Sequence, residues 1–272
     1  MREIHQTDCL TVFQSALFQT TATLLVGQKY VLVVDPNWLP EEVNEIHAAA
    51  ELAAGDNKQK FLLFTHSDYD HIIGAGRFED YTTIASQAFV DNPEQEKQLE
   101  QIRTFDDEYY IQRSYPIEYP LINLVICEEG TLLQLGEDEY QFFHAPGHNA
   151  DGLITYNRSR NILIAGDYLC AVEFPYLYDS LARYRNSLNK FEELIEVENP
   201  EVLIPGHGPV ATERSDMQAR LKSARSYLDE LEISVVNNTP FDTEALFANY
   251  RFPRIMGKFH AGNVALVKRE LT

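Results

Sequence analysis

The chain has 272 residues, of which 44% are hydrophobic, so its length and composition allow one large domain with a substantial core. It contains 22 lysines and arginines against 42 aspartates and glutamates, and the resulting net charge of −20 argues against nucleic acid as a partner. No apolar run reaches membrane-spanning length, and the first residues lack the apolar centre of a signal peptide. Together with three scattered cysteines, this predicts a cytoplasmic protein without membrane contact.

The first third of the chain predicts a β-meander followed by a helix. Apolar and alternating residues over 10–18, 23–26 and 30–35 indicate strands joined by turns. A helix is expected from about Pro40, which suits a first helical turn, to Gly55. The apolar runs at 61–64 and 82–86 indicate two short strands, and residues 87–103 have a polar helical pattern that Pro93 must interrupt.

The rest of the chain returns to strands and ends in helices. Residues 104–120 predict an irregular stretch with four tyrosines, which either lines a pocket or packs on its own aromatic rings. Further strands are predicted at 121–127, 131–135 and 140–144, then a hairpin formed by 153–156 and 161–165. A helix over 180–197, a buried strand at 202–205 and a mostly helical tail from residue 212 follow. This order of elements predicts a layered α/β sandwich in a single domain, residues 1–272.

Four side chains that can bind metal follow directly after the strand predicted at 61–64. His66, Asp68, Asp70 and His71 fall within six residues, on a loop that Gly74 helps to make compact. Side chains one or two positions apart on a bent loop can diverge toward two neighbouring ions. The alternative for this segment alone is a solvated polar loop with coincidental histidines.

Three other candidate ligands have the same local context. His148, Asp167 and His207 each sit where an apolar strand gives way to a turn that contains glycine or proline. Ligands at strand ends on one rim of a sheet sandwich can converge, whereas ligands scattered along helices could not. His47, inside the first predicted helix, is interpreted as structural or solvated, and His144 as a core residue or a support for a ligand.

Together these segments resemble the ordered metal motifs of the metallo-β-lactamase superfamily over about residues 10–210. The resemblance implies a four-layer αββα sandwich with a C-terminal helical extension over about 212–272, and two divalent metal ions, zinc, iron or manganese, at the sheet edges. Carried over to this sequence, the first ion would be held by His66, Asp68 and His148. The second would be held by Asp70, His71 and His207, with Asp167 bridging the two. The motifs that carry the resemblance are His66-x-Asp68-x-Asp70-His71, Ala145-Pro-Gly-His148, Ala165-Gly-Asp167 and Pro205-Gly-His207-Gly.

The resemblance also implies a hydrolytic function on a small-molecule substrate. A two-ion site generates a hydroxide near neutral pH, and we expect attack on a small ester, thioester or lactone. Asp70 is the expected catalytic residue, because its carboxylate could orient the hydroxide and then protonate the leaving group. The fold does not fix the reaction, so a phosphodiesterase, a diiron redox protein like the flavodiiron proteins but without their flavin domain, and a binding protein on a retired scaffold are the alternatives.

Asp68 departs from most members of the superfamily, which have histidine at this position. Two divalent ions contribute +4, a hydroxide −1 and the aspartates at 68, 70 and 167 together −3, so the centre would be neutral. The added carboxylate should favour iron or manganese without excluding zinc. Candidate substrate-binding residues are Tyr168, Tyr176 and His260, and for the two tyrosines the alternative is a packed aromatic loop. For the segment around His260, the alternative is that Asn263 caps a helix beginning at Val264.

Overall fold

The computed structural model describes residues 1–271, and its N-terminal half forms a seven-stranded sheet with the strands in chain order. The first four strands pair antiparallel and strands four to seven pair parallel. The strands are β1 (Arg2–Gln6), β2 (Leu10–Gln14), β3 (Thr21–Val26), β4 (Tyr30–Val34), β5 (Gln59–Leu63), β6 (Thr82–Ser86) and β7 (Leu124–Ile126). The helices between them are α1 (Pro40–Ala54), α2 (Tyr69–Ile72), α3 (Gln87–Val90) and α4 (Gln95–Tyr109).

A second sheet of five strands follows, in the spatial order β12-β11-β10-β9-β8. Its strands are β8 (Thr131–Leu135), β9 (Asp138–His144), β10 (Leu153–Asn157), β11 (Ile162–Gly166) and β12 (Val202–Pro205). β12 pairs parallel with β11, and the other pairs are antiparallel. The later helices are α5 (Leu181–Glu193), which continues as one π-helical turn over Leu194–Glu198, then α6 (Arg214–Val236), α7 (Thr243–Ala248) and α8 (Pro253–Leu271).

Three hydrophobic cores separate four layers. Because successive strand residues face opposite sides of a sheet, Leu32 packs between the two sheets while Val33 packs toward α1 and α4. On the second sheet, Ile164 faces the first sheet, and Leu163 packs with the residues of α5, α6 and α8. The layers therefore follow the order αββα with helices at the C-terminal end, as predicted. None of the helices within residues 1–271 is both long enough and apolar enough to span a bilayer.

Two local predictions were wrong. The stretch predicted as irregular from residue 104 is helical up to Tyr109, because Leu99, Ile102 and Asp106 continue a buried helical face. Asn263 does not cap a helix that begins at Val264, since α8 already begins at Pro253 and Asn263 lies in its interior. Strand β1 was not predicted, because its residues are polar and mostly exposed and carry no apolar pattern.

Candidate metal centre

The candidate ligands gather at one rim of the sandwich, where strands of both sheets end. His66 follows β5, Asp167 follows β11 and His207 follows β12, while His148 lies in the turn between β9 and β10. A β-bridge between Thr20 and His207 joins the two sheets at this rim. The expectation that strand-end positions converge is therefore met for these residues.

All seven predicted ligands fall into two groups in which the candidate ligand atoms lie within 4.8 Å of one another. Asp167 faces both groups. Its Oδ2 lies 3.4 Å from His148 Nε2 and 3.2 Å from His207 Nε2, while its Oδ1 lies 3.2 Å from His71 Nε2. The first group is His66, Asp68, His148 and Asp167, and the second is Asp70, His71 and His207.

The backbone around Asp167 leaves no room for a larger residue beside it. Gly206 precedes His207, and a Cβ atom at position 206 would lie 2.0 Å from Asp167 Oδ1 and 3.0 Å from the His71 ring. Glycine at 206 is therefore required for Asp167 to reach the space between the two groups.

Asp35 orients His71, and sequence analysis missed it. Its Oδ2 accepts hydrogen bonds from His71 Nδ1 at 2.9 Å and from the Thr65 hydroxyl at 2.6 Å, and its Oδ1 accepts one from Thr65 N at 2.9 Å. With Nδ1 as the donor, Nε2 of neutral His71 carries the lone pair that a metal requires. The signal was available, because Asp35 directly follows an apolar strand, like the ligands that were recognised.

Backbone carbonyls orient two other histidines in the same way. His207 Nδ1 lies 3.0 Å from the carbonyl oxygen of Phe18, and His148 Nδ1 lies 2.9 Å from that of Tyr176. Both rings therefore turn Nε2 toward Asp167. These two contacts between a ring nitrogen and a backbone carbonyl join distant parts of the chain, and no local sequence pattern indicates them.

The segment that carries the Tyr176 carbonyl is fastened by α8. Asn263, which is only 2% exposed, accepts a hydrogen bond from Leu177 N at 2.8 Å and donates one to the carbonyl of Pro175 at 2.7 Å. The Tyr176 ring stacks on Phe259, also in α8, at a centroid distance of 4.1 Å. The C-terminal helix thus fixes the carbonyl that orients His148.

Opposite charges dominate the electrostatics of the centre. Burial opposes ionisation of Asp68, but its hydrogen bond with His148 and the charge of His66 lower the pKa of Asp68 to about 2. Burial also opposes protonation of the histidines, yet the hydrogen bond with Asp68 raises the pKa of His148 to about 9. For His207, the charge of Asp167 outweighs burial and raises the pKa to about 10. The carboxylates therefore create a field that favours positive charge here.

The donor atoms suit divalent cations. His66 Nε2, His71 Nε2 and Asp167 Oδ1 are buried and form no hydrogen bond within residues 1–271. Because buried polar atoms rarely lack a partner, three such atoms pointing into one cluster indicate that an ion completes it. Imidazole nitrogens and carboxylate oxygens are ligands that divalent metal ions accept in proteins.

The three predicted substrate-binding residues are held by contacts within the protein. The Tyr168 hydroxyl accepts from His148 N at 3.1 Å and lies 3.0 Å from the carbonyl of Ala145. His260 is buried and lies 3.1 Å from the Tyr227 hydroxyl, and Tyr176 packs on α8 as described. Within residues 1–271, His260 belongs to no group of candidate metal ligands, and the role of all three residues toward substrate stays a prediction.

A cavity of about 260 Å³ adjoins the centre. Its wall includes Asp167 and Glu173 from the loop after β11, Arg220 from α6 and Tyr250 between α7 and α8. Glu173 was also missed in the sequence, although it is a carboxylate six residues beyond Asp167. Burial raises the pKa of Glu173 to about 7, although the charge of His207 acts in the opposite direction.

Comparisons with known proteins agree with this geometry. Residues 16–207 match the sequence model of the family described as the metallo-beta-lactamase superfamily. An uncharacterised protein of Aquifex aeolicus is 26% identical over 51% of this chain and 59% of its own length, which is less than two thirds of that relative. The acyl-coenzyme A thioesterase MBLAC2 of Gallus gallus is 24% identical over 68% of this chain and 70% of its own. The crystal structure of a metallo-beta-lactamase family protein from Thermus thermophilus has a TM-score of 0.66 at 19% identity, covering 97% and 94% of the two chains.

Proposed function

The chain belongs to the metallo-beta-lactamase superfamily, and we propose that it is a metal-dependent hydrolase that cleaves thioesters or related small carboxylic esters and lactones. The observation that carries the proposal is the meeting of seven buried or half-buried ligand side chains in two groups around Asp167. We also propose that residues 1–272 act as one domain, because α8 supports the segment that orients His148.

The roles of the side chains follow from their positions. His66, Asp68 and His148 would hold one ion, Asp70, His71 and His207 would hold the other, and Asp167 would bridge them. Ions bound there would supply Lewis acidity, which lowers the pKa of water and polarises a carbonyl group.

Asp70 is the candidate proton carrier. The Thr20 hydroxyl donates to Asp70 Oδ2 at 3.3 Å, and this oxygen lies 3.5 Å from His207 Nε2. The carboxylate is thereby held at the edge of the cluster, where it can take a proton from an attacking water and later give that proton to the leaving group. The Trp38 indole donates to Thr20 at 2.6 Å, which restricts the threonine rotamer.

Thioesters are placed first among the substrates because the avian relative is named as an acyl-coenzyme A thioesterase and matches 68% of this chain. At 24% identity the name supports a substrate class rather than a particular acyl group. The cavity of about 260 Å³ beside Asp167 offers space for a small acyl group next to the centre.

The proposal is tested with purified protein loaded separately with zinc, manganese or iron. Bound metal is quantified, and hydrolysis is followed for acyl-coenzyme A thioesters, matched oxygen esters, lactones and phosphodiesters. We expect thioester cleavage that depends on metal and is lost in Asp167→Asn. His47→Ala, which changes a histidine outside the two groups, is the control and should remain active. Hydrolysis that survives Asp167→Asn, or cleavage of phosphodiesters alone, would contradict the proposal.

A further inference from the structure

Glu173 lies beside the candidate metal centre, in the loop between β11 and α5. One oxygen of its carboxylate lies within 4.8 Å of ligand atoms of both Asp167 and His207. These two residues belong to the two groups described above, so Glu173 adds a carboxylate to the same cluster. No motif of the sequence indicated it, because its position follows from the path of the loop.

Two other observations indicate that Glu173 faces the cluster. Glu173 lines the cavity of about 260 Å³ beside the centre together with Asp167. In addition, Asp167 Oδ1 is buried without a hydrogen bond, and the Asp167 side chain is 6% exposed. One carboxylate oxygen of Asp167 is therefore left for a cation rather than for a hydrogen-bond donor.

We propose that Glu173 supplies a further carboxylate ligand to the metal ion that His207 and Asp167 hold. The inference rests on the proposed metal-dependent function, since it concerns the coordination of the same ions. That ion would then be bound by the imidazoles of His71 and His207 and by three carboxylates, those of Asp70, Asp167 and Glu173.

The charge of the ligand set changes as a result. The carboxylates of Asp68, Asp70, Asp167 and Glu173 contribute −4, which equals in size the +4 of two divalent ions. Carboxylate oxygens favour manganese and other hard ions, whereas imidazole nitrogens suit zinc. Glu173 should therefore make the His207 side of the centre the one that prefers the harder ion.

The test measures metal binding rather than activity. Metal-free wild type, Glu173→Gln, Glu173→Asp and Glu198→Gln are titrated with manganese and with zinc in competition with a chelator, and the number of bound ions is counted by elemental analysis. Glu198→Gln is the matched control, because it removes the same charge from an exposed position. We expect wild type and Glu198→Gln each to bind two ions, and the affinity for each ion to be the same in both proteins.

In Glu173→Gln the first ion should bind as in wild type and the second at least about tenfold more weakly, with a larger loss for manganese than for zinc. Glu173→Asp should fall between, because its shorter side chain keeps the charge but reaches less far. If Glu173→Gln does not fold, as judged by circular dichroism, Glu173→Asp decides, and wild-type affinity in that variant would overturn the proposal. Wild-type affinity for both ions in folded Glu173→Gln would also overturn it. Wild type that binds no ion would refute the metal-dependent function itself, so the two failures are distinguishable.

Discussion

Replacing Asp35 with Asn should weaken metal binding although Asp35 contacts no candidate metal position directly. The substitution keeps the shape of the side chain and places an NH₂ group where one carboxylate oxygen stood. Asp35 Oδ2 accepts hydrogen bonds from the Thr65 hydroxyl and from His71 Nδ1. The hydroxyl can rotate and accept a bond from the new amide, but a ring N–H cannot. His71 is therefore driven to the other tautomer, with its proton on Nε2, which then has no lone pair for a metal.

The magnitude follows from the lost bond. A hydrogen bond to a charged acceptor contributes about 1.5–3 kcal/mol, and the bond from Thr65 N can survive in the variant. Changes in residues that support metal ligands lower affinity by about ten- to a hundredfold, which corresponds to about 1.4–2.8 kcal/mol. We expect a loss of this size for the ion on the His71 side. A competition titration with a chelator measures the affinity, and nitrogen NMR of the His71 ring reports the tautomer.

Asp138→Asn provides a matched control at the other end of the sandwich. Asp138 is also buried, and it accepts hydrogen bonds from the Tyr30 hydroxyl at 2.6 Å and from Arg160. Asp138→Asn should lower the free energy of unfolding in urea by about as much as Asp35→Asn does. Its metal affinity should equal that of wild type. If Asp35→Asn binds metal within about twofold of wild type, or if Asp138→Asn weakens binding equally, the tautomer argument is refuted.

Four other outcomes are expected. Asp70→Asn should stay folded by circular dichroism and lose about a hundred- to ten-thousandfold in turnover, and nearly full activity would remove Asp70 from the mechanism. Asp68→His should shift the metal content toward zinc after growth in mixed-metal medium, and unchanged content would show that Asp68 is only a neighbour of the ion. Asn263→Leu should weaken metal binding about tenfold while Tyr227→Phe, its control, does not, because only the first variant releases the segment that orients His148. In a sample where each free ion is present at a hundred times its dissociation constant, removal of the metal by a chelator should lower the melting temperature by roughly 5–10 °C per ion. Scanning calorimetry measures this shift, and an unchanged melting temperature would argue against bound ions.

Local patterns in the sequence predicted a layered α/β sandwich and marked the seven candidate ligands, whereas the αββα order and the division of the ligands between two ions came from the resemblance to the superfamily. Apolar runs mark strands, and His66, Asp167 and His207 directly follow such runs. The residues whose roles were not predicted depend on contacts with distant parts of the chain. Asp35 follows an apolar strand as the recognised ligands do, but its partner His71 lies 36 residues away and is not indicated locally. Asn263 meets Leu177 across 86 residues and has no local signal at all. The strand pattern also missed β1, which pairs by its backbone although its side chains are mostly polar and exposed.

The contact between Asn263 and the segment before α5 bears on the order in which the protein matures. A growing chain that has reached residue 207 already contains all seven candidate ligands, but α8 has not yet been synthesised. His148 then lacks the fixed carbonyl that directs its ring, and it must wait until Asn263, 115 residues later in the sequence (263 − 148), has left the ribosome. We therefore expect a nascent chain to hold metal only weakly. Full-affinity loading should therefore follow the translation of α8.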